Sequence, residues 1–199
     1  MNYLAHLYLA DPDDQHRLGN LAGDWIKGRL ESQPYPRRVL EGARRHRFVD
    51  SFSDQHPSML AARQLLGRDR RRAAGIVMDM MNDHFLVRHW SRYCDVPLDV
   101  FIADAYASLE RTRSLWPVAA ERTIHRMIRY DWLASYGDLG IIAMALERIA
   151  GRMRRDPGLA DALPVLRREY DALEAQFHQL MGDLGAELDA GTANEQDDG

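Results

Sequence analysis

Two groups of acids and histidines stand at helical spacing about thirty residues apart. The first is His46, Asp50 and Asp54, within RRHRFVDSFSDQHP; the second is Asp79, Asp83 and His84, within IVMDMMNDHFLVRHW. Residues four apart share a helix face, so Asp50 stands beside His46 and Asp83 beside Asp79. The second group sits among Ile76, Val77, Met78, Met80, Met81, Phe85 and Leu86. A bare carboxylate is costly to bury in such surroundings unless something positive accompanies it. A metal ion is one candidate for that partner, and arginine is the other.

Mixed imidazole and carboxylate ligands suit Mn²⁺, Fe²⁺, Zn²⁺ or Mg²⁺, and the single cysteine, Cys94, excludes a site built from sulfur alone. Ions held in this way activate a water and stabilise a phosphoryl centre. Asp24, in GNLAGDWIKG beside Leu21, Trp25 and Ile26, is expected to face the same interior. The ordinary role of an acid–histidine pair on a helix is nevertheless a cap, an arginine partner or a solvated pair, and Asp24 has Lys27 and Arg29 within reach. His6, in NYLAHLYLA, is a lone histidine in an apolar helix, where a hydrogen-bonded core histidine is the usual outcome. His56 precedes Pro57 and suits a helix cap, while His125 and His178 have no acidic group of this kind beside them. A glycine-rich phosphate loop, G-x-S-x-G and H-E-x-x-H are all absent. Cys94 has no activating neighbours in the sequence.

Helices must carry these groups, because helical periodicity recurs and no alternating strand pattern does. Helices are expected over 2–9, 18–29 and 37–53, the last bearing the first group. Another starts at Pro57, capped by Asp54 or Ser53, and closes at Gly67. A long helix over 70–93 bears the second group. Further helices are expected over 99–115, 118–134 and 138–152, with a final amphipathic one over 164–184. The fold class is all-α, a single multi-helix domain over 1–184. The small and acidic residues of 185–199 predict a disordered tail.

The net charge of −4 hides an asymmetry. Residues 183–199 carry six acids and no Lys or Arg, and without them 24 acidic residues face 26 basic ones. Every basic residue but Lys27 is arginine, whose planar fork suits carboxylate and phosphate oxygens. Runs such as Arg44-Arg45-His46-Arg47 and Arg70-Arg71-Arg72 are candidates for an anionic partner, although a solvated face is the usual role of such runs. Nothing resembles a helix-turn-helix or zinc-finger pattern, so no nucleic acid partner is expected. No apolar run approaches the roughly 20 residues of a membrane span, so no membrane partner is expected either. One cysteine and no apparent signal peptide point to the cytoplasm.

The segments MNYLAHLYLA, GNLAGDWIKG, HRFVDSFSDQHP and RRAAGIVMDMMNDHFLVRHW, in this order and spacing, resemble those of the acyl carrier protein phosphodiesterases. The resemblance continues through WLASYGDLGIIAMALERIAGR to YDALEAQFHQL. It implies an all-α fold, distantly similar to the HD-domain metal phosphohydrolases. It also implies hydrolysis of the phosphodiester joining 4′-phosphopantetheine to a serine of acyl carrier protein. Manganese is the metal it implies, with Mg²⁺ or Fe²⁺ as substitutes. Carried over by motif, Asp24, His46, Asp50, Asp79, Asp83 and His84 fall at site positions, and His6 joins them as a further ligand. Catalysis is assigned to Asp24, His46, Asp50, Asp83 and His84. The order Asp83-His84 is reversed from the HD pair, which leaves open which of the two meets the metal. Arg45, Arg47 and Arg71 are expected to contact the acidic carrier protein. A phosphohydrolase for nucleotides or other small diesters, and a helical binding protein without chemistry, are the alternatives.

Overall fold

The computed structural model describes residues 1–197, with side chains through Gly191. Twelve α-helices follow one another: α1 (Tyr3–Tyr8), α2 (Asp14–Ala22), α3 (Arg37–Gln55), α4 (Pro57–Leu65), α5 (Ala74–Arg88), α6 (Trp90–Tyr93), α7 (Leu98–Arg111), α8 (Val118–Arg129), α9 (Trp132–Ser135), α10 (Leu139–Ala150), α11 (Leu163–Arg168) and α12 (Tyr170–Asp197). Single 3₁₀ turns lie at Leu30–Ser32, Arg68–Arg70 and Arg113–Leu115. No strand occurs among the described residues, as the all-α class requires. No helix among them is long and apolar enough to cross a membrane.

Local chemistry moves several helix ends from their expected places. Helix α2 starts early because the Asp13 side chain accepts from the His16 amide and caps it. It ends at Ala22, which leaves Asp24 in a turn rather than on a helix. The run 118–134 is broken into α8 and α9 at Asp131, whose φ of 46° lies in the left-handed region. Helix α4 is capped by His56, whose Nδ1 accepts from the Ser58 amide, rather than by Ser53 or Asp54. Of the tail expected to be disordered over 185–199, residues 185–197 continue α12, and 198–199 lie outside the described residues. Ala186, Glu187, Leu188 and Ala190 are strong helix formers, and acidic composition alone does not reveal that.

The chain forms two compact units, one of residues Met1–Asp50 with Asp79–Ile142, the other of Ser51–Met78 with the chain from Ala143 onward. In the first, α1 packs on α2 and α2 on α7. Leu4, Leu7, Leu18, Leu21, Met81, Phe85 and Leu86 are among its fully buried side chains. Helix α5 is buried on every side over its middle, where Asn82, Asp83 and His84 lie among those apolar residues. In the second unit α4 packs against α12, over Met59, Leu173 and Phe177.

Candidate metal centre

The first unit gathers its polar side chains where α2 and α3 approach unusually closely. A Cβ on Gly19 would stand 1.9 Å from the Val39 carbonyl oxygen, and one on Gly42 would stand 2.1 Å from that of His16. Only glycine permits main chains this near to each other. A Cβ on Gly23 would stand 2.3 Å from Cγ of His46, so the imidazole lies flat on the glycine. At this separation His46 Nδ1 reaches the main-chain oxygen of Asn20, 2.7 Å away. The His6 ring stacks on that of His46 at 4.0 Å between centroids, and its Nδ1 lies 3.1 Å from Asn20 Oδ1. His6, His46 and Asn20 are all buried.

The other nitrogen of each ring faces Asp50. His6 Nε2 is 3.2 Å from Asp50 Oδ1, and His46 Nε2 is 3.2 Å from Asp50 Oδ2. His46 Nε2 also lies 3.7 Å from Oδ1 of the more exposed Asp24. One ligand atom from each of His6, His46 and Asp50 lies within 4.8 Å of the other two. Both Nε2 atoms are buried without a hydrogen-bond partner. A main-chain oxygen only accepts, so Nδ1 of His46 carries a proton, and in the neutral ring Nε2 holds a lone pair. Two imidazole lone pairs that converge on one carboxylate require a proton or a metal cation among them. Two imidazoles and one carboxylate suit a first-row divalent ion.

Protonation follows the same geometry. Burial opposes a charge on His46, but Asp24 and Asp50 outweigh it and raise its pKa to about 9. Burial lowers His6 to about 4 despite its contact with Asp50. Asp50 is itself held far below the usual carboxylate range, because His46 and His6 outweigh the effect of burial. Without a divalent ion, the proton therefore sits on His46.

The second group is used differently. Asp83 is completely buried, and neither arginine nor a metal ligand set is its partner. Its Oδ2 and Oδ1 accept from the amides of Leu4 and Ala5, at 2.8 and 3.0 Å. Those amides belong to the first turn of α1, which has no partner within the helix and no side-chain cap from Asn2. Asp83 caps α1 from a distance. Burial raises its pKa to about 7, although the two amides act to lower it. Asp79 accepts from the amino group of Met1 at 2.9 Å, and the same group lies 3.4 Å from Asp50. His84 is buried with Nδ1 2.8 Å from the Tyr136 carbonyl oxygen. Among the described residues, neither Asp83 nor His84 belongs to the three-atom group with Asp50.

The remaining expected residues have other partners. Asp54, in the second unit, pairs with Arg63. Arg45 donates to the Leu9 carbonyl and Arg47 to those of Ile26 and Gly28, so both secure loops. Arg71 is exposed in the second unit. Asn20 and the amino group of Met1 were not predicted as parts of this centre. Asn20 leaves a trace in GNLAG, where Gly19 and Gly23 bracket a lone amide in an apolar stretch.

Comparison with known proteins follows this geometry. A family model described as acyl carrier protein phosphodiesterase matches residues 1–184. A relative from Salmonella dublin, named acyl carrier protein phosphodiesterase, is 36% identical over 181 residues, covering 89% of this chain and 92% of its own. A relative of the same name from Salmonella paratyphi A is 36% identical over 178 residues, with the same coverage. No solved structure matches.

Proposed function

This chain belongs to the acyl carrier protein phosphodiesterase family, and from that premise we propose that it hydrolyses the phosphodiester between 4′-phosphopantetheine and a serine of acyl carrier protein, using a divalent metal held by His6, His46 and Asp50. The products are apo carrier protein and 4′-phosphopantetheine. The observation that carries the metal is the convergence of two partnerless, buried imidazole nitrogens on one carboxylate. Manganese suits this donor set and is the first ion to supply. When bound, such an ion lowers the pKa of a water and offsets charge on the phosphoryl oxygens.

The chain's own groups provide the rest. Asp24 is exposed at the edge of the centre, and His46 lowers its pKa, so it is ionised at neutral pH. Its carboxylate is placed to orient an attacking water and accept its proton. Asp79 and Asp83 keep the N-terminal segment, and with it His6, against α3. Arg45 and Arg47 also support the loops that flank Asp24 and α1. An acidic carrier protein is then drawn by exposed arginines such as Arg71 and Arg72, an attraction that weakens with salt.

The test is incubation of holo carrier protein with the purified chain and Mn²⁺, followed by intact mass. Loss of the prosthetic group is the expected result. A folded, Mn²⁺-loaded chain that leaves the mass unchanged would overturn the proposal.

A further inference from the structure

The structure assigns to Asn20 a role as the positioning residue that sets the tautomer of both histidines: its main-chain oxygen fixes His46 and its side-chain oxygen fixes His6, so that in each neutral ring Nε2 faces Asp50 as a lone pair. The inference concerns this chain's own hydrogen bonds, and its consequence for metal rests on the function proposed above.

Two distances and one orphan carry it. The Asn20 main-chain oxygen lies 2.7 Å from His46 Nδ1, and Asn20 Oδ1 lies 3.1 Å from His6 Nδ1. Asn20 is completely buried, and its Nδ2 has no partner. The carboxamide therefore turns its acceptor to the histidine and leaves its donor unpaired, although a buried donor without a partner is unfavourable. If the amide were reversed, Nδ2 would donate to His6 Nδ1. The proton of His6 would then sit on Nε2 and point at Asp50, and no lone pair would remain for an ion. The main-chain contact to His46 has no such alternative, because a carbonyl oxygen cannot donate.

One residue can serve both rings because of where it stands. The close approach at Gly19 and Gly42 brings the α2 main chain within reach of His46. The stacking of His6 on His46 then places the second ring over the Asn20 side chain. A ligand histidine whose other nitrogen donates to a fixed oxygen is the usual way to hold ring and tautomer. Here a single asparagine supplies both oxygens. The design separates them, because substituting the side chain removes the acceptor of His6 and leaves that of His46 in place.

Nitrogen-15 NMR of the metal-free chain at pH 7.5 reads the His6 tautomer directly. The Nδ1–H form is expected in the wild type and in Asn20→Asp, which keeps an oxygen facing the ring. Asn20→Ala should lose that preference while the His46 Nδ1 proton remains. Mn²⁺ titration of the same samples should show affinity weakened about 10–100-fold in Asn20→Ala and largely restored in Asn20→Asp. A wild-type His6 carrying its proton on Nε2, or an unchanged tautomer in Asn20→Ala, would overturn the assignment. If Asn20→Ala does not fold, the wild-type spectrum still decides. A wild type with the expected tautomers that binds no Mn²⁺ would instead refute the metal proposal and leave the role of Asn20 standing.

Discussion

The two acid–histidine groups have similar spacing and opposite uses. On α3 and α1, the Nε2 atoms of His46 and His6 are buried without a hydrogen-bond partner, and both face Asp50. On α5, Asp83 and His84 are buried, and main-chain groups satisfy them. The difference between a centre and its support is therefore not residue type or spacing. It is whether the polar atoms are left open. An open buried polar atom is unfavourable unless a ligand completes it, whereas a closed one is structural.

Substitutions that treat the two groups alike should separate them. Asp50→Asn should have the largest effect on chemistry. It removes the charge that both imidazoles face, and turnover of holo carrier protein should fall by more than the roughly 10–100-fold that outer partners of a metal cost. The rise in melting temperature on adding Mn²⁺ should vanish with it. Retained activity together with a retained rise would remove Asp50 from the centre.

Asp83→Ala should do the reverse and act mainly on stability. It orphans the amides of Leu4 and Ala5, at a cost on the order of 2 kcal/mol, partly offset by removing a buried carboxylate. Denaturant unfolding measures this, and Mn²⁺ affinity should change less than in Asp50→Asn. A larger loss of affinity than of stability would make Asp83 a ligand.

Acidity sharpens the contrast within the centre itself. Folded His46, raised to about 9, holds its proton more tightly than the unfolded chain does. Its stabilisation is full below its unfolded value of about 6.5 and fades as pH rises through 9. Folded His6, lowered to about 4, resists protonation and penalises folding as pH falls from about 6.5 towards 4. In metal-free protein, the stability gap between wild type and His46→Gln should therefore narrow on raising the pH. The gap for His6→Gln should narrow on lowering it. Gaps that stay constant across both ranges would contradict these protonation states.

The smallest effect belongs to Asp54, the third member of the first group in the sequence. Its ion pair with Arg63 is well exposed, so Asp54→Ala should cost less than about 1 kcal/mol and leave turnover unchanged. A loss of turnover would extend the centre along α3.

Much of this was legible in the sequence. Periodicity revealed the helices, and the apolar setting of Asp83 correctly signalled a buried carboxylate that needs partners. The nature of those partners was hidden. Sequence chemistry offers arginine and metals as counterparts to a carboxylate, but peptide N–H groups belong to every residue and carry no signature. Asp83 found its partners 79 and 78 residues away, at Leu4 and Ala5. Asn20 was hidden for a related reason, since half of its role falls to a main-chain oxygen. The break at Asp131 was missed because a left-handed residue other than glycine leaves no compositional mark.

Helix α1 has only six residues, fewer than an isolated helix needs to persist in water. It is therefore held by its neighbours, packed on α2 and joined to α5 through Asp83. The amide hydrogens of Leu4 and Ala5 can exchange with solvent only when that carboxylate releases them. Their exchange rates thus time how often His6 departs from Asp50, and they do so in a chain that is otherwise folded and at rest.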